Sequence, residues 1–234
     1  MKTLFICTLP RTGSSLLADV VASTGVLGDP REYLLPKYRR RLTAELGLDD
    51  ETLPTYLTAV RGQRSTPNGV TSIKLMLPHI EGRVAQGELA SPGLRSLADE
   101  LAAGDPVVVM LSRRDKLRQA ISLLRALQTS KWASYDDADG NPQFDQKLVK
   151  KFITRIVRHE GRWEKELATS GISADLRMEY EDVTRDMSGA INQIAVASGV
   201  TLPPPSEWMP GDGPSRVPQR DALTEEWVDR FLYA

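Results

Sequence analysis

The segment PVVVMLS, residues 106–112, sets three consecutive β-branched side chains between a proline and a polar end. A run that is apolar at every position, and not at alternate ones, suits a strand buried on both faces, and such strands belong to parallel sheets covered by helices on both sides. Residues 4–8, 70–77 and 174–180 read as three further strands. Between the strands, apolar residues recur at helical spacing. Leu16, Leu17, Val20 and Val21 mark a helix over 14–24, and Leu117, Ile121, Leu124 and Leu127 mark one over 114–129. Helices are also expected over 37–46, 54–62, 79–89, 92–103, 144–168, 187–198 and 222–232. The alternation predicts one α/β domain over 1–234, with a central parallel sheet between two helical layers.

Charge and cysteine content narrow the function. Thirty Lys and Arg against 31 Asp and Glu give a net charge of -1, which offers no bulk attraction to nucleic acid. Any anion site must therefore be local. A single cysteine, Cys7, excludes a disulfide framework and a cysteine-based metal site, and it fits a reducing cytoplasm. The first apolar stretch is stopped by Pro10 and Arg11 before a secretory core develops. No apolar run approaches the ~20 residues that span a bilayer, so no transmembrane segment is expected.

Open parallel sheets collect ligands beyond the carboxyl ends of their strands. Two of the four expected strands end there in arginine-bearing segments, TLPRTGSS and LSRRD. In the first, Gly13 supplies a tight turn, and Ser14 and Ser15 open a helix whose free amides and dipole favour an anion. Helix capping alone accounts for many such turns, but Arg11 adds a cation that a bare cap does not need. Against the triphosphate loop G-x-x-x-x-G-K-[ST], Thr8 stands at the first glycine and Ser14 at the lysine. With no lysine there, and no acidic residue at the end of PVVVMLS to hold magnesium, γ-phosphate transfer is poorly equipped. A phosphosulfate, less charged and independent of metal, suits the loop better.

The segment PRTGSSLL resembles the 5′-phosphosulfate loop of sulfotransferases that use 3′-phosphoadenosine 5′-phosphosulfate (PAPS), and the surrounding sequence is most similar to the bacterial trehalose 2-sulfotransferase group. The likeness continues through TGVLGDPREY, STPNGVTSIKLM, LSRRDKLRQAISLLRALQTSKW and TEEWVDRF, in the same order. It implies a P-loop-like fold and a homodimer. It also implies that Arg11, Thr12, Gly13, Ser14 and Ser15 hold the phosphosulfate, and that Arg113 and Ser122 grip the 3′-phosphate. Gln219 and Arg220 fall where the family contacts the donor, although Pro218 stands where its arginine precedes the glutamine. Arg114 likewise replaces an expected proline. Glu32 corresponds to the general base, and Lys74, an inward lysine in an apolar strand, to a group near the sulfate or the acceptor. The implied reaction yields adenosine 3′,5′-bisphosphate (PAP), needs no metal, and takes a sugar or glycolipid acceptor.

Rival readings stand beside these assignments. His79 follows a strand end and titrates in the right range for a base. Without the resemblance, Glu32 would be read as a partner of Arg31, and Arg39, Arg40, Arg41, Arg114, Arg118, Arg125, Lys150 and Lys151 as solvated helix surface. Trp132 and Trp227 are explained by packing, with Trp132 also suited to a sugar pocket. A nucleotide-dependent kinase and a non-catalytic adenine-nucleotide binder are the alternatives in function.

Overall fold

The structure, a computed structural model, describes residues 2–48, 52–101, 104–132, 140–208 and 221–233. The chain enters through β1 (Lys2–Thr8) and α1 (Ser14–Ser23), then passes through α2 (Pro36–Leu46) and α3 (Leu53–Arg64) to β2 (Val70–Met76). It continues through α4 (Leu77–Ala85) and α5 (Gly93–Glu100) to β3 (Val107–Ser112), α6 (Lys116–Thr129) and the long α7 (Gln146–Ser170). Last come β4 (Leu176–Glu179), α8 (Tyr180–Arg185), α9 (Met187–Ser198), α10 (Pro205–Trp208) and α11 (Ala222–Leu232). All four expected strands form. The short α8 and α10 were not expected from periodicity, which a helix of one turn or so cannot display.

The strands pair in parallel in the order β2-β1-β3-β4. Their pleat sends alternate residues to two separate cores. Phe5 and Cys7 of β1 join Ile73, Leu75 and Val108 beneath α3 to α7, whereas Leu4 and Ile6 join Val109, Leu111 and Met178 beneath α1 and α9. This is the expected three-layer α/β fold. From β1 the chain crosses to β2 on one side of the sheet, and from β3 it crosses to β4 on the other. The crevice where such paths diverge, at the carboxyl ends of β1 and β3, is where an α/β sheet binds ligands.

Several arginines expected on the surface are not there. Arg118 and Arg125 are only 25% and 23% exposed, and they fasten α11 onto α6. Arg118 pairs with Asp115 and Glu225, while Arg125 grips both oxygens of Asp221 at 2.6 and 2.7 Å and donates to Thr224 Oγ1. Arg39 is buried against Tyr56 and Glu88. Helical periodicity records which face a residue occupies, and it is silent on an acidic partner 96 or 107 positions away. Arg40, Arg41, Arg114, Lys150 and Lys151 are exposed, as expected. Among the described residues no helix is long and apolar enough to cross a membrane.

Asp221 caps α11 by accepting from Thr224 N, and Arg125 chiefly holds its carboxyl down at about 2. The folded-state value lies below the ordinary one, so the stabilisation from Asp221 is complete above pH ~4 and disappears as the pH falls through about 2. Half-exposed as it is, Asp221→Asn should cost about 0.5–1 kcal/mol at neutral pH. Denaturant melts from pH 7 to 2 should show this difference shrinking with acidity; a gap independent of pH would remove the ion pair as its source.

Candidate active site

The loop after β1 is tied down from three directions. Thr8 Oγ1 donates to Leu111 O at 3.0 Å and lies 2.6 Å from Thr12 Oγ1, so a hydroxyl links β1 to β3 and folds the loop back on its own start. Trp163 of α7 donates its indole N–H to Thr8 O at 3.0 Å, and Gln119 of α6 donates to Pro10 O at 2.9 Å. Gly13 then opens α1 from the left-handed region, φ 78°, with no side chain capping the helix. The first available intrahelical acceptor, Gly13 O, is taken by Leu16 N and Leu17 N, which leaves the amides of Ser14 and Ser15 facing outward from the helix start. A Cβ on Gly13 would lie 2.3 Å from the Tyr180 ring, so only glycine lets α1 begin this close to the end of β4.

Two arginines meet beside this turn. Arg11 itself has φ 67°, a conformation that costs a non-glycine residue about 1–2 kcal/mol. That turn sends its side chain to α6, where Nε donates to Ser122 Oγ at 2.8 Å and a terminal N–H donates to Trp132 O at 2.5 Å. Arg113, leaving β3, donates to Arg11 O at 3.3 Å and stacks over Tyr180 with its guanidinium carbon 4.9 Å from the ring centre. Its Nε is buried without a hydrogen-bond acceptor, and Glu181 stands 4.0 Å away. Glu181 is turned aside to accept from the amides of Arg114 and Asp115. Burial is the largest influence on the Arg113 guanidinium and lowers its pKa, against Tyr180, Asp115 and Glu181. Ser122 is bonded by Arg11 and not by Arg113.

On the other side of α1 lies the carboxylate. Lys74 pairs in register with Ile6, so it faces α1, and its ammonium bridges Ser15 Oγ at 3.1 Å and Glu32 Oε1 at 3.0 Å. Glu32 is held by an added edge: Arg31 bridges Ile73 in parallel, and Lys74 N donates to Arg31 O at 3.0 Å. Gly28 makes that edge possible, since a Cβ there would sit 2.7 Å from Ser72 N. Arg31 itself turns to Asp19 and Asp29, so the expected Glu32–Arg31 pair does not form. His79 Nδ1 lies 4.0 Å from Glu32 Oε2. Burial is the largest influence on the imidazole and lowers its pKa; Glu32 opposes this, while Arg83 and Lys74 reinforce it.

The sheet crest therefore gathers Arg11, Thr12, Gly13, Ser14, Ser15, Arg113 and Ser122 around one turn, with Lys74, Glu32 and His79 beside it. Gln219 and Arg220 lie outside the described residues. Open helix amides and a buried guanidinium N–H without an acceptor fit an anionic ligand. Among the described residues no group of three or more His, Cys, Asp or Glu side chains could hold a metal ion.

Sheet order and loop define a P-loop-like α/β fold. The chain belongs to the Stf0 sulphotransferase family, whose profile matches residues 3–233. The trehalose 2-sulfotransferase of Mycobacterium tuberculosis is 27% identical over 254 positions, covering 94% of this chain and 91% of the relative. That of Mycolicibacterium smegmatis is 23% identical over 251 positions, with the same coverage of 94% and 91%. Two solved structures share the fold. One is a sulfotransferase from Alicyclobacillus acidocaldarius, with TM-score 0.50, 13% identity, and 99% of this chain and 92% of that one covered. The other is the sulfotransferase domain of the curacin biosynthetic pathway, with TM-score 0.52, 15% identity, and coverage of 100% and 98%.

Tyr180 and Trp163 escaped the reading of the sequence. Trp163 sits in a long amphipathic pattern that marks it only as core, and Tyr180 ends a strand whose distance from Gly13 depends on sheet order. The packing of Gly13 on Tyr180 is testable by a double-mutant cycle. Gly13→Ala should destabilise the fold by about 2–4 kcal/mol through overpacking and left-handed strain, and adding Tyr180→Ala should recover about 1–2 kcal/mol of it. Strict additivity of the two losses in denaturant unfolding would mean that the ring does not restrict the loop.

Proposed function

We propose that the protein transfers a sulfuryl group from PAPS to a hydroxyl of a carbohydrate or sugar-bearing acceptor, with Glu32 as general base. The observation that carries this reading is the Lys74 ammonium, which touches both Glu32 and Ser15 and so links a carboxylate to the first turn of the anion loop. In-line displacement needs the proton acceptor and the leaving-anion site held in fixed positions about the sulfur, and a lysine that contacts both elements helps to hold them so. Relatives named for trehalose sulfation support a sugar acceptor.

When bound, PAPS supplies the activated sulfuryl group and departs as PAP. The amides of Ser14 and Ser15, with Thr12 and Gly13 shaping the turn, receive the charge at its 5′ end. Arg113 and Ser122 take the 3′-phosphate, for which the unpartnered Nε of Arg113 is already desolvated, and Gln219 and Arg220 are assigned to the donor by the family resemblance alone. Glu32 accepts the proton of the acceptor hydroxyl as its oxygen bonds to sulfur and the sulfur–phosphate oxygen bond breaks. Lys74 and Arg11 stabilise the negative charge on the oxygens around sulfur. Trp132, 48% exposed and joined to Arg11 through its carbonyl, offers a flat apolar face for a sugar ring.

His79 is the second candidate base. Its lowered pKa keeps it neutral near pH 7, but Glu32 touches the loop-linked lysine and His79 does not. Kinase chemistry is the weaker alternative, because the lysine of the triphosphate loop is replaced by Ser14.

Glu32→Gln should reduce sulfuryl turnover by ~100-fold or more while leaving PAP affinity nearly unchanged. Steady-state rates with mass detection of the sulfated sugar decide this; undiminished turnover would transfer the role to His79.

Arg113→Ala tests the donor end. Losing a charge-assisted contact of about 1.5–3 kcal/mol should weaken PAP binding by ~10- to 100-fold, with a much smaller loss for adenosine 5′-phosphate, which lacks the 3′ group. Equal losses by calorimetry would take Arg113 out of that subsite.

A further inference from the structure

The segment that carries Glu32 continues directly into a second basic site. Between α2 and α4 lies an open cavity of about 370 Å³ lined by Pro36, Arg39, Arg40, Arg83, Gln86 and Glu88. Three guanidiniums face one carboxylate there. Arg39 donates to Glu88 Oε1 at 2.8 Å and Arg83 to Glu88 Oε2 at 2.7 Å. Burial alone would raise the Glu88 carboxyl, but the two arginine hydrogen bonds outweigh it and keep the group charged. Glu88 thus accepts from two buried arginines, and Arg40, exposed at the rim, makes no ion pair or hydrogen bond with any described residue.

Arg83 is only 7% exposed, yet its Nε has no acceptor. A buried donor left in that state is destabilising unless an acceptor reaches it. Arg40, which has no partner among the described residues, and the empty donor of Arg83 ask for an anion. The cavity also adjoins the proposed base. Arg83 stands one turn along α4 from His79, about 6 Å by helical rise, and His79 is in turn 4.0 Å from Glu32. Pro36 follows Glu32 by four residues.

We infer that this cavity binds an oxyanion group, phosphate or sulfate, carried by the acceptor, so that the enzyme prefers a phosphorylated or already sulfated sugar to a neutral one. The inference rests on the sulfotransferase reading for its reaction, and on Arg39, Arg40 and Arg83 for its recognition chemistry. Guanidinium forks match tetrahedral oxyanions, and Arg40 is the adaptable member that closes on them.

The test is calorimetric titration of the full chain, saturated with PAP so that the Gly13 loop is filled, with trehalose, trehalose 6-phosphate, trehalose 6-sulfate and inorganic phosphate. The anionic sugars should bind at least ~10-fold tighter than trehalose, the yield of roughly one charge-assisted contact. Arg40→Gln, which has no partner to lose and should melt like the parent, ought to abolish most of that advantage; Arg83→Lys should weaken it in the same direction. Equal affinity for neutral and anionic sugars, no binding by any anion, or an advantage that survives Arg40→Gln would each overturn the inference. A difference confined to one of the two anionic sugars would support it and identify the anion. Should PAP itself fail to bind, the donor assignment falls alone, and the same titrations on Arg113→Ala still read the cavity.

Discussion

Two cationic side chains brought together at the end of a parallel sheet set the terms for everything around them. Arg113 donates to the carbonyl of Arg11 and stacks on Tyr180, while Arg11 leaves in the opposite direction to Ser122 and Trp132. Both positive charges lie where helix α1 also presents the positive end of its dipole. Glu181, the carboxylate nearest Arg113, is engaged by two backbone amides. The Arg113 guanidinium, with a buried N–H unmatched, thus lies beside a helix start whose first amides are open, and this pairing fits an anionic ligand. The strained backbone of Arg11 belongs to the same arrangement, because a left-handed turn at that residue is what parts the two guanidiniums.

The comparison with a triphosphate loop becomes physical at this point. Thr8, in the place of the first glycine, uses its hydroxyl to staple β1 to β3 and to contact Thr12. Ser14, in the place of the lysine, is buried, and the ammonium comes from Lys74 on the neighbouring strand. A lysine within the loop reaches along the ligand's own phosphates; a lysine from β2 reaches across to Glu32. The positive charge is therefore shared between the anion loop and the carboxylate, an arrangement suited to a transfer in which the accepting hydroxyl must lose a proton.

Local chemistry in the sequence was enough to locate the sheet, its helices and the loop around Gly13, because each rests on periodicity or on a turn residue within ten positions or so. Glu32 and Lys74 were picked out by the family resemblance, while their own chemistry marked them only as a carboxylate after a glycine turn and a lysine in an apolar strand; that they touch depends on β2 pairing beside β1. Helix-surface assignments failed for Arg39, Arg118 and Arg125, whose carboxylate partners come from distant elements. Tyr180 and Trp163 were illegible for the same reason, since sheet order and not spacing brings them to the loop. Composition can show that a cation is available, and only topology shows what it faces.

The carboxylate sits on a more rigid support than its position in a connecting segment suggests. Arg31 is bridged to Ile73 and its side chain is clamped by Asp19 of α1 and by Asp29, while Ser72 donates to Leu27 O next to Gly28. These contacts make the segment an extra edge of the sheet, so Glu32 moves with β2 and α1 and not with the loops that follow. Catalytic groups held on regular elements keep their geometry while adjacent loops vary. The neighbouring basic cavity is built differently: it begins at Pro36, runs through α2 and α4, and is lined by Arg39, Arg40 and Arg83. With Glu32 fixed on the sheet and the cavity arginines on the helices beyond it, substitutions in α2 can reshape the cavity without moving the carboxylate.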